Sequence, residues 1–220
     1  MAGLAGSLAA ILDDVGLAPG EMPTPSPESV WTAILGSFLA SPKVDPVLCG
    51  LRDADLIEPS ALAHVDPAEI AEAAGLAHGH SAIAPLRKVA RWLADRGGLG
   101  GTTEALRDEL RGLRGVGPTL VETILLRGLG RAGYPVDRAT YRVLVRHAWI
   151  EPEAGVDEVR AEILGAAEAE PAVLSALADA MDVVGSRWCK PSVARCERCP
   201  LASLLPEGGP RGAADGEHVA

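Results

Sequence analysis

Apolar residues recur at helical spacing along almost the whole chain, and no Val-, Ile- or Thr-rich run alternates with period two for long enough to make a strand. That pattern restricts the chain to an all-α fold. In VWTAILGSFLAS, the residues Trp31, Leu35, Phe38 and Leu39 fall on one helical face, which places Phe38 in the core. DPAEIAEAAG offers Asp66 as N-cap, Pro67 at the first helical position, Glu69 to complete a capping box and Gly75 as a stop. APLRKVARWLADRGG repeats Leu86, Val89, Ala90 and Leu93 at i, i+3, i+4 and i+7. TTEALRDELRG starts from a threonine cap and carries Leu106 and Leu110; the helical pattern then resumes from Pro118, from Arg138, from about Val156 and from Pro171 to Val184.

With 220 residues, 48% of them hydrophobic, the chain can bury one compact core or two small ones. The opening MAGLAGSLAAILDDVGLAPG lacks a basic n-region and carries Asp13 and Asp14, so it reads as a helix and not a signal peptide. No window approaches the roughly 18 uncharged apolar residues of a membrane span, so a cytoplasmic protein with no membrane partner is expected. LAPGEMPTPSPES holds four prolines and reads as an extended connection, and EGGPRGAADGEHVA after Pro206 reads as a disordered tail.

The formal charge of −10 argues against a polyanionic partner until its distribution is considered. Between Leu86 and Arg146 there are twelve Lys and Arg against six acids, so this segment is +6 and the remainder −16. The arginines are either solvated helix surface or a basic face for phosphates.

Inside the basic segment, LRGVGPTLVE places Gly115 and Gly117 one residue apart between two helices. Pro118 opens the second of these, where a missing N–H is harmless. Glycines there permit positive φ and close approach of backbone amides to a ligand, and amides beside a helix N-terminus suit a phosphate. A plain bend would need one glycine. YPVDRATYRVLVRH follows, with Val136-Asp137 ahead of a helix and basic residues at Arg138, Arg142 and Arg146.

The combination resembles the helix-hairpin-helix DNA glycosylases of the endonuclease III branch. Their hallmark is a hairpin reading L-P-G-V-G-x-K-T-A, followed by a helix start reading V-D-x-x-x-x-R-V. The resemblance covers roughly residues 28 to 206 and implies a two-lobed all-α fold with DNA lying across the cleft between the lobes. It puts a six-helix bundle at 28–135 and a second lobe at 1–27 with 136–206, leaving 207–220 as the tail. It implies that Asp137 is the catalytic carboxylate, where the alternative from the residues alone is an ordinary N-cap. Leu113, Gly115, Val116, Gly117 and Thr119 become DNA-binding residues, with Arg142 and Arg146 divided between phosphates and packing. The expected partner is double-stranded DNA with a flipped base, met by a monomer.

A nucleobase leaves deoxyribose through an oxocarbenium-like state that a carboxylate stabilises, or a carboxylate activates the attacking water. In lysine-bearing relatives an amine attacks C1′ and the Schiff base permits strand cleavage. The lysine position here is Thr119, so the resemblance implies a monofunctional glycosylase without lyase activity, or a lapsed enzyme that binds damaged or bent DNA. WCKPSVARCERCPLASLLP carries Cys189, Cys196 and Cys199 with spacing C-x6-C-x2-C, like the iron–sulfur loop of the branch, but Leu205 stands where the fourth cysteine falls. Three thiolates can hold a [4Fe–4S] cluster with an exogenous fourth ligand, or the cluster is absent. Cys49, among apolar neighbours, reads as a buried structural thiol. The first core helix lacks both the Gln of the family, whose place is taken by Phe38 as either a wedge between bases or a core residue, and the carboxylate of its adenine-removing members, which argues against adenine excision opposite oxidised guanine.

Overall fold

A computed structural model of the chain describes residues 3–212, among which there are eleven α-helices and no strand. Two compact units form: Met22–Arg131, and a second that joins the residues before Met22 to those after Arg131. Residues 213–220 of the expected disordered tail lie outside the described residues.

Helix α1 (Leu4–Val15) belongs to the second unit. The first unit begins with α2 (Pro27–Gly36), whose start is fixed by a reciprocal cap: Ser29 N–H donates to Ser26 Oγ, and Ser26 N–H to Ser29 Oγ. Then come α3 (Val44–Asp53), α4 (Pro59–His64), α5 (Pro67–Ala73), α6 (Ile83–Arg96), α7 (Thr103–Arg111) and α8 (Pro118–Thr123), which continues as a π-helical turn, Ile124–Gly128. One apolar core binds them. Its centre is Trp31, fully buried, with the indole N–H donating to Ile57 O at 2.8 Å. Satisfying that polar tip lets the ring bury without an unpaired donor.

Gly128 marks where α2 presses on the π-helical turn: a Cβ there would sit 3.1 Å from Val30 Cα, and Ser29 Oγ donates to Gly128 O at 2.6 Å. Two residues on, Gly130 lies against the start of the same unit, with the position of its absent Cβ 3.5 Å from Pro23 O and 3.6 Å from Met22 Cβ.

The second unit is built from α1, α9 (Arg138–Arg146), α10 (Val156–Ala166) and α11 (Pro171–Arg187), with α1 packed on α10 and α11, and α9 on α11. Tyr141 is buried and its hydroxyl donates to Pro152 O, tying α9 to the loop before α10. Desolvation raises the Tyr141 phenol above its ordinary pKa. Residues 207–212 are placed: Arg211 N–H donates to Arg146 O at 3.0 Å, and its guanidinium pairs with Glu151 at 3.2 Å.

Three local expectations change. Asp66 caps α5 through Ala68 N–H at 2.8 Å, without the reciprocal bond expected from Glu69. Phe38 is 37% exposed, because α2 ends at Gly36 and the helical periodicity that placed Phe38 on the core face stops before it. Cys49 is exposed as well, because α3 buries Val44, Val47, Leu48 and Leu51 and Cys49 falls off that stripe.

Candidate functional site

The hairpin lies in the first unit. Helix α7 is capped at its start by Thr102, whose Oγ1 accepts from Ala105 N–H, and it ends at Gly112. The turn Leu113–Gly117 then leads into α8. Gly115 has φ +86°, a left-handed conformation in which a side chain would be strained, and a Cβ there would also meet Lys88 Nζ at 2.8 Å. Gly117 differs, with an ordinary extended φ of −75° and nothing within 4 Å of where a Cβ would stand. Among the described residues nothing requires glycine at 117.

Val116 turns inward: its side chain is buried and its N–H donates to Leu113 O at 2.9 Å. The N–H groups of Gly115 and Gly117 have no acceptor among the described residues. Thr119 is half-buried in the first turn of α8, and its carbonyl accepts from Thr123 Oγ1 at 2.9 Å. Four of the five hairpin residues expected from the sequence thus sit in the turn and Thr119 in the helix that follows it, and the amides of Gly115 and Gly117 are left without an acceptor among the described residues.

Behind the turn, and not evident in the sequence, Glu122 of α8 is 2% exposed and meets Arg107 of α7 at 2.8 Å, with Arg111 at 3.8 Å. This ion pair clamps the helices on either side of the hairpin. Its partners are fifteen residues apart across a turn, so no local pattern announces it.

The second unit holds Asp137. It is the N-cap of α9: its Oδ1 accepts from Thr140 N–H at 2.7 Å, and its other carboxylate oxygen has no hydrogen-bond partner among the described residues. The cap fixes the carboxylate's position while leaving one oxygen uncommitted, so capping and chemistry are compatible roles for the same side chain.

Arg142 and Arg146, on the same helix, turn to the cysteine loop. Arg142 Nε donates to Cys189 O at 2.7 Å. Arg146 is buried and donates to Cys189 Sγ at 3.2 Å, Lys190 O at 2.7 Å and Pro191 O at 3.1 Å. Three of the five N–H donors of Arg146 are spent on the loop, and the side chain is buried, so this arginine packs against the cysteine loop.

Of the three cysteines, Cys189 is buried, and Cys196 and Cys199 are half-buried. Desolvation, followed for Cys196 by the neighbouring Cys189, raises both of the latter thiols above their ordinary pKa. Leu205 offers no donor, and no three His, Cys, Asp or Glu among the described residues are grouped to hold a metal ion. As placed, the donor set does not fit an iron–sulfur cluster.

No family model matches the sequence, and no curated protein matches it. Solved structures do. An endonuclease III–DNA covalent intermediate and a non-covalent endonuclease III–DNA complex are each 22% identical, with TM-scores of 0.67. Both cover 91% of this chain, and the alignments take in 93% and 92% of theirs. H. pylori 3-methyladenine DNA glycosylase (MagIII), bound to 1,N6-ethenoadenine, matches 83% of this chain and 96% of its own with 20% identity and a TM-score of 0.60. A thermostable thymine-DNA glycosylase matches 90% and 92% with 17% identity and a TM-score of 0.60. The chain has the fold of the helix-hairpin-helix glycosylases, and the similarity runs through both of its units. Among the described residues no helix is long and apolar enough to cross a membrane.

Proposed function

We propose that this protein is a monofunctional DNA N-glycosylase that hydrolyses the bond between a damaged base and its sugar. The observation that carries the reading is Asp137: a carboxylate held by the Thr140 amide through one oxygen, with the other uncommitted. In this role the uncommitted oxygen faces the anomeric carbon of a flipped nucleotide, where it stabilises the oxocarbenium-like state or takes a proton from the attacking water.

The hairpin supplies the grip. Gly115 shapes the turn, and Gly117 keeps clear the space that a backbone phosphate needs to reach the amides. Phosphates so held position the duplex without reading its sequence. Thr119 stands where an amine would be needed for a Schiff base, and a hydroxyl cannot form one. Hydrolysis without strand cleavage follows. The cysteine loop takes no part in this chemistry; Arg146 ties it together.

The test is single-turnover excision on duplexes carrying oxidised pyrimidines, uracil or thymine opposite guanine, or alkylated purines, each read with and without alkali. Product seen only after alkali, and lost in Asp137→Asn, is the expected result. Strand breaks without alkali overturn the monofunctional reading. No product on any duplex, with binding intact, assigns the protein to the lapsed DNA binders.

A further inference from the structure

Within the first unit, a groove of about 900 Å³ runs along the outer face of α6, from the loop at 79–81 to the hairpin. Its walls carry Arg87, Lys88, Arg91, Arg96 and Arg114 against Asp95 and Glu109. Glu109 is already matched: Arg96 Nε reaches it at 2.8 Å and Trp92 Nε1 at 2.9 Å, bonds that hold its carboxyl below the usual range. Four cations then face one acid, in a chain whose net charge is −10.

Among the described residues, no acid is spent on these cations. Arg87, Lys88, Arg91 and Arg114 form no ion pair among the described residues. Arg91 makes one long bond, to Ala63 O at 3.3 Å, and Arg87 Nε is buried with no acceptor. A buried donor without a partner is unfavourable unless a ligand supplies the acceptor. Arg87 and Arg91 stand one helical turn apart, about 6 Å along the axis. The cations form a row rather than a convergent nest, which suits a strand better than a single small anion.

The row also joins the hairpin. Leu113 and Arg114 line both, and the Lys88 ammonium donates to Arg114 O beside Gly115. We propose that the α6 groove is a second phosphate track, carrying the backbone of duplex DNA beyond the hairpin, with Arg87, Lys88 and Arg91 as its cations. This rests on the DNA-binding part of the functional reading and not on the chemistry at Asp137.

The test compares duplex affinity over a range of salt for the native chain, Arg87→Gln/Arg91→Gln and Arg87→Lys/Arg91→Lys. Each phosphate contact contributes about 0.9 to the slope of log K against log salt. The Gln pair is expected to flatten that slope by about two, and the Lys pair to restore it. Native binding with parallel slopes in all three overturns the track alone; a native chain that ignores duplex DNA overturns the track and the DNA reading together. Saturable binding of dAMP, lost in the Gln pair while the duplex slope is unchanged, assigns the groove to a small phosphate ester and overturns the strand. Should the Gln pair not fold, Lys88→Gln, on the exposed side of α6, reads the same quantity, with an expected flattening of about one.

Discussion

Removing one partner from the Glu122–Arg107 pair has a cost that the structure apportions. Glu122 is 2% exposed, and losing Arg107 removes its partner at 2.8 Å while Arg111 stays at 3.8 Å. Arg107→Met therefore takes the principal counter-charge from a buried carboxylate, a change that costs about 3–5 kcal/mol. Glu122→Leu is milder, because the Arg107 guanidinium is 13% exposed and keeps Glu104 at 4.0 Å; about 1–3 kcal/mol is expected. The double variant removes both charges and leaves an apolar contact of similar volume, so it should lie within about 1 kcal/mol of the native chain. For a chain of this size 1 kcal/mol moves Tm by roughly 2–4 °C, which puts the Arg107→Met loss at roughly 6–20 °C. Thermal melts of the four proteins, followed by circular dichroism, complete the cycle. Additive losses, with the double variant worse than either single one, would refute the assignment of a coupled buried pair.

Asp137→Asn retains the cap on Thr140 and should melt within about 0.5 kcal/mol of the native chain while excision is lost, whereas Asp137→Ala loses about 1 kcal/mol as well; melts and excision on the same preparations separate the two effects. Gly115→Ala should lower Tm because of the positive φ, while Gly117→Ala should leave Tm in place and weaken duplex binding, as read by fluorescence anisotropy. Burial holds the buried His147 below its ordinary value of 6.5, so the unfolded chain takes up a proton that the folded chain refuses. Stability is then fully present above pH 6.5 and falls as the pH drops toward the folded pKa, and Tm measured against pH should lose that slope in His147→Gln. Stripping iron with a chelator should leave both Tm and visible absorption unchanged; a fall in either would show that the cysteine loop holds a cluster.

Much of the fold was legible because helix signals are local. Pro67 and Pro118 at first turns, Thr102 as a cap and the apolar spacing of α6 each report on a few neighbouring residues, and each element stands where its residues put it. The turn into α8 and the N-cap of α9 at Asp137 were legible for the same reason. What escaped depended on contacts between elements. Phe38 lies past the end of α2, where the periodicity of that helix no longer applies, and Glu122 takes its meaning from its contact with α7. Arg142 and Arg146 carried the spacing of a basic face, but only the folded position of the cysteine loop decided what their donors meet.

Gly130 lying against Met22 and Pro23 means that the first unit enters and leaves its neighbour's chain at a single doorway. To the second unit it is an insertion whose ends already touch, so the polypeptide on either side has no span to bridge. Such an insert can lengthen, shorten or change its surface without altering the distance between the segments that flank it. The hairpin and the α6 groove can therefore vary in length and surface while the helix that Asp137 caps stays packed on α11.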